Sequence, residues 1–77
     1  MKQNGSKTRF VLCVKNKGYL ASLVVWKVYQ VLPDDKAAQH KLIRIIDESG
    51  EDYLYPASFF VPIELPKVIE KKFALAA

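Results

Sequence analysis

The stretch that decides the fold is Gly50-Glu51-Asp52-Tyr53-Leu54-Tyr55-Pro56-Ala57-Ser58-Phe59-Phe60-Val61-Pro62. A turn glycine leads into a short aromatic strand, a proline-led turn and the start of a second aromatic strand. Two tyrosines and two phenylalanines fall within eight residues, a density that marks the closure of a core. Pro56 presets φ at the start of a single 3-10 turn over residues 56–59. The strands on either side are 52–55 and 60–64, and Tyr55 and Phe60 are expected to pack inward around the turn.

Working back toward the N-terminus, Glu48-Ser49-Gly50-Glu51 reads as a tight hairpin loop. It joins 52–55 to a strand over 41–47, where Leu42, Arg44 and Ile46 alternate with Lys41, Ile43 and Ile45. Pro33 and two aspartates break the chain before that strand, and 35–40 reads as one helical turn. A strand over 26–32 puts Tyr29 and Val31 on one face and Trp26, Val28 and Leu32 on the other. Residues 19–25 show no clean alternation and are expected to form a long loop, with Ala21 and Leu23 inward. Asn16-Lys17-Gly18 is a turn signal. The strand before it, 8–15, is apolar on both faces, which suits a central position in a sheet.

Toward the C-terminus, Leu65-Pro66 opens a helix with Pro at its first position. Val68, Ile69, Phe73 and Ala76 form its apolar stripe, and Lys67, Glu70, Lys71 and Lys72 its polar face. A helix this short is unstable alone and is expected to dock on the open end of its own barrel. The domain plan is a disordered tail over 1–7, a β-barrel domain over 8–64 and the helix over 65–77, docked on the barrel.

Seventy-seven residues make one domain that buries only roughly 60–65% of its unfolded surface. One cysteine cannot form an internal disulfide, and one histidine with it cannot complete a structural zinc site. A lone Cys13 suits a reducing compartment. No secretory signal is legible, and the apolar run 10–14 is too short for a membrane span. The expected setting is cytoplasmic, with no membrane partner. Charge is uneven. Residues 1–17 carry Lys2, Lys7, Arg9, Lys15 and Lys17 and no acid, whereas 34–52 carry six acids against Lys36, Lys41 and Arg44.

The order of five short strands, a long irregular first loop and a 3-10 turn before the last strand resembles a Src-homology-three-like barrel. Ala21-Ser22-Leu23-Val24-Val25-Trp26-Lys27, leading into Tyr29 and Val31, is similar to the end of that fold's first loop. Tyr55-Pro56-Ala57-Ser58-Phe59-Phe60 is similar to its aromatic-Pro-Ser-Asn-Tyr-Val turn. The chain also resembles a group of small uncharacterised bacterial proteins. The shared stretches are Cys13-Val14-Lys15-Asn16-Lys17-Gly18-Tyr19, Lys27-Val28-Tyr29-Gln30-Val31-Leu32-Pro33-Asp34 and residues 47–56. The resemblance implies a five-stranded barrel and a bacterial origin. It does not bring the proline-peptide groove with it. Only Tyr19 stands in the first loop, strand 41–47 has no tryptophan, and Phe59 replaces the turn's tyrosine, removing its hydroxyl.

The chain shows no catalytic, cofactor or metal signature. Cys13 lies mid-strand and reads as a buried structural thiol. His40 is far away in sequence, with no residue to orient it. The acids Asp47, Glu48, Glu51 and Asp52 lack the spacing of a calcium loop and read as a solvated hairpin. The departure with functional weight is Val24-Val25-Trp26, three large apolar residues at an expected turn tip. Either they form an interface, or the register shifts and Trp26 packs in the core or under the helix. The candidate interaction surface is Val24, Val25, Trp26, Tyr19 and Phe59. Its expected partner is another protein or a second copy of the chain, a homodimer being expected through Val24, Val25 and Trp26 or through the C-terminal helix. Nucleic acid is the alternative, through Lys15, Lys17, Lys27, Tyr19 and Trp26.

Overall fold

The computed structural model describes residues 9–76, with side chains for 9–72. The tail expected at 1–7 lies outside them, as do the side chains of Phe73 and Ala76. Five strands, two helices and one 3-10 turn follow in the order β1 (Arg9–Cys13), β2 (Val28–Leu32), α1 (Asp35–Gln39), β3 (Leu42–Ile46), β4 (Asp52–Pro56), the 3-10 turn (Ala57–Phe59), β5 (Phe60–Ile63) and α2 (Lys67–Ala76). The protein is mainly β, with the 3-10 turn before the last strand and the short C-terminal helix where the sequence puts them.

All strands join one antiparallel sheet in the order β4-β3-β2-β1-β5. A flat sheet of this order would hold β4 and β5 about 19 Å apart, four spacings of about 4.8 Å. The chain crosses from one to the other through only Ala57–Phe59. Three residues cannot span that gap in a helical turn, so the sheet must curl strongly. Its concave face holds the core: Val11, Cys13, Tyr29, Val31, Ile45, Tyr55 and Phe60, with Leu23 and Phe59 added from the loop and the turn.

The sheet is not closed into the expected barrel, and β4 and β5 both remain edges. Proline explains why they do not zip together. Val14 N–H donates to the Phe59 carbonyl, and Cys13 N–H turns the other way, to Lys27. Alternation along β1 then pairs Leu12 with Val61 and Phe10 with Ile63 through ladder bonds, so the N–H position of Pro62 faces outward. On β4, Asp47 N–H donates to Glu51 and Ala57 N–H to Lys41. The same parity aims Asp52, Leu54 and Pro56 away from β3. Each open edge therefore carries a proline where a donor would be needed.

Residues 14–27 form the long loop. Ser22 and Leu23 both donate to the Tyr19 carbonyl, at 3.1 and 3.0 Å. This one helical turn puts Tyr19 and Leu23 on the same side. Leu23 is fully buried, as expected, but Ala21 is exposed, because helical spacing rather than alternation governs the loop. At the far end of the molecule, Asp34 caps α1 by accepting from Ala37 N–H at 3.0 Å. It also accepts from Arg44 Nε at 2.8 Å, and Arg44 reaches on to Asp52 at 2.8 Å. Val68 and Ile69 of α2, expected against the sheet's open end, are 60% and 43% exposed.

Candidate interaction surface

β2 starts at Val28, two residues later than expected. The two residues before it, with Val24 and Val25, make a turn closed by Lys27 N–H donating to the Val24 carbonyl at 3.3 Å. Trp26 occupies this turn with φ +72. That is the left-handed region, where a bulky side chain crowds the following carbonyl and costs about 1–2 kcal/mol. Its side chain is 71% exposed. The alternative placements of Trp26, in the core or under the helix, are thereby excluded. Glycine is the residue that would relieve both costs at such a position.

The turn is held from both sides. Trp26 N–H donates to the Cys13 carbonyl at 2.6 Å, and Cys13 N–H donates back to Lys27 at 2.9 Å. Val24 N–H donates to the Tyr29 hydroxyl at 2.8 Å. That hydroxyl donates to Glu48 Oε2 at 2.5 Å, and Lys27 Nζ sits 2.7 Å from the same oxygen. The Lys27 ammonium and the Tyr29 hydroxyl hold the Glu48 carboxyl below its usual range. Burial, with Glu48 as hydrogen-bond partner, pushes the Tyr29 hydroxyl well up. Glu48 N–H also donates to the Ser22 carbonyl at 3.1 Å, which ties the loop to the β3–β4 hairpin. A strained residue persists only where its surroundings over-determine it, and these bonds do so.

The five candidate residues divide. Val24 and Trp26 stand exposed in one turn, and Val25 beside them is half-buried. Tyr19 is exposed at its rim but packs edge-on against Tyr55, with ring centroids 4.9 Å apart, and against Phe59 at 6.0 Å. Phe59 is only 8% exposed and does not belong to the surface. Tyr19 covers it, and Lys15 Nζ lies 5.8 Å from its ring centroid. Exposed apolar residues that the candidate surface left out include Leu20 and Tyr53, with Leu54 and Val61 on the two edge strands. Leu20 follows from the helical turn that Tyr19 opens. Tyr53 pairs with Ile45 on the core face, yet lies toward the hairpin end, where the core has run out.

Of the four hairpin acids, Glu48, Glu51 and Asp52 are exposed, as a solvated hairpin requires, but Asp47 is buried and both its oxygens accept hydrogen bonds. Oδ1 accepts from Ser49 N–H and Oγ, and Oδ2 accepts from the Tyr55 hydroxyl at 2.5 Å. Burial alone would raise this carboxyl, but the bonds from Ser49 and Tyr55 outweigh it and hold it low. Burial and the Asp47 contact push Tyr55 up to about 12. Tyr19, Ser22, Tyr53 and Tyr55 line a shallow notch of about 350 Å³ around this pair. With its lone pairs committed, Asp47 is a structural acceptor and not a poised base. Burial raises the Cys13 thiol, so it is held as an inert core group. Among the described residues no cluster of three or more His, Cys, Asp or Glu is placed to hold a metal, and no helix is long and apolar enough to cross a membrane. Comparison with protein families, curated proteins and solved structures finds no match to this chain.

Proposed function

We propose that the chain is a small non-catalytic protein-interaction module, Src-homology-three-like in design, whose contact element is the Val24–Trp26 turn. The observation that carries this is Trp26 itself. A tryptophan fixed in a left-handed turn and left in water lowers the stability of the free domain. Backbone strain of this kind clusters at functional sites, and tryptophan is one of the residue types enriched at binding hot spots. The Tyr29–Glu48–Lys27 network pre-organises the turn, which lowers the entropy lost on binding. Contact by strand addition is disfavoured, because Pro56 and Pro62 blunt both edges.

Photo-crosslinking tests the reading. Benzoylphenylalanine at position 26 should give discrete crosslinked protein species in cells, and the same probe at exposed Lys36 should not. The species from position 26 should be lost when Tyr29→Phe loosens the turn. Equal crosslinking from both positions would remove the proposal.

Nucleic acid remains the second reading, favoured by exposed Tyr19, Trp26 and Tyr53 at one end with Lys17, which makes no ion pair among the described residues. Such binding would weaken steeply with salt as counterions are released. Absence of chemical-shift change on adding a single-stranded oligonucleotide at low salt would eliminate it.

A further inference from the structure

The end of the sheet opposite the Trp26 turn carries a groove of about 1210 Å³. Half-buried Leu32, Leu42, Ile63 and Leu65 supply its accessible apolar lining, over Phe10 and Val31, which are already buried. Among the described side chains of α2, Lys67 and Glu70 are the ones that reach it. Over residues 67–72 the helix thus turns polar groups to the groove and leaves Val68 and Ile69 facing water. Three residues, 64–66, separate β5 from α2. Pro66 is fixed in φ, and its carbonyl accepts from Ile69 and Glu70 N–H at 2.9 and 3.0 Å. This short linker keeps the start of the helix beside the groove, with Lys67 and Glu70 rather than Val68 and Ile69 against it.

We infer that the groove receives α2 of a second copy of this chain, in a two-fold dimer where each helix fills the other's groove. Size agrees: a helix about 10 Å across rising 1.5 Å per residue fills about 800 Å³ in seven residues. Charge agrees as well. Glu64 and Glu70 stand at the groove, Lys71 and Lys72 stand exposed on the helix, and none of the four forms an ion pair among the described residues. An isologous interface uses both sets twice. Half the flank of a helix of ten residues is roughly 240 Å². Two helices in two grooves then bury roughly 900–1,000 Å² altogether, which places the dimer at the weak, concentration-dependent end of specific interfaces.

Sedimentation equilibrium of the full chain from about 10 μM to about 1 mM tests this. The expected result is a reversible dimer whose Kd rises at least about tenfold, some 1.4 kcal/mol, in Val68→Glu and in Ile69→Glu. Both sites are exposed in the single chain, so the variants should keep its circular dichroism. Lys71→Glu with Lys72→Glu should weaken the dimer, and adding Glu64→Lys with Glu70→Lys should restore it. Trp26→Gly should leave it unchanged, which separates this inference from the function proposed for the turn. A strict monomer throughout, a dimer indifferent to Val68→Glu and Ile69→Glu, or a dimer lost in Trp26→Gly would each overturn it. Groove filling by another protein or a small apolar ligand would show as the monomer outcome.

Discussion

Tyr29 does more than fill core volume. Its hydroxyl is the acceptor for Val24 N–H and a donor to Glu48. Tyr29→Phe keeps the ring, strands the Val24 N–H and leaves Glu48 to Lys27 alone, so it should cost about 1–3 kcal/mol in urea denaturation, with faster amide exchange confined to residues 24–27. A loss spread evenly over the sheet would contradict a positioning role. Titration of the same region has a defined sign. Asp47 and Glu48 are held low, so their stabilisation is present above the unfolded value of about 4 and is lost as pH falls through the folded one. Tyr55 is raised to about 12, and Tyr29 moves the same way. Their stabilisation is complete below about pH 10 and is lost as pH rises toward about 12. Urea midpoints should therefore hold across neutral pH and decline at both ends, and Tyr55→Phe should shrink the alkaline decline.

At the scale of elements, legibility in the sequence followed periodicity. β3, β4, the 3-10 turn and β5 lie within a residue or two of where alternation, Gly50 and Pro56 put them. α1 was legible from Pro33 and Asp34. The long loop was only partly so. Leu23 was expected inward and is, but the single helical turn from Tyr19 overrode the alternation that would have buried Ala21. β2 was extended two residues too far, because Trp26 is a strand-favouring type and nothing local signals a left-handed turn without Gly or Asn. Asp47 looked like a turn acid because its partner Tyr55 is eight residues away. Leu23 is the loop's anchor in the core. Leu23→Ala should destabilise the domain by about 2–5 kcal/mol, read by thermal or urea unfolding. A loss below about 1 kcal/mol would mean that the loop packs independently of the sheet.

At the scale of the molecule, five strands curl without closing, prolines guard both edges, and the two ends differ in character. One end carries the aromatic loop, the hairpin acids and the strained tryptophan. The other carries α1, the groove and the helix whose Val68 and Ile69 face water. Pro56 located the 3-10 turn, and Phe59, the residue at the place of the peptide-contacting tyrosine in the resemblance, is sealed under Tyr19. The function proposed for this domain therefore rests on the opposite side of that loop, where Trp26 is displayed at a cost to the free protein. The urea-unfolding free energy of Trp26→Gly tests this most directly. Glycine relaxes the left-handed turn and removes an indole that the core does not use, so the variant should be as stable as the parent or more stable by about 1 kcal/mol. A loss of about 2 kcal/mol or more would make the indole a structural group and contradict the account.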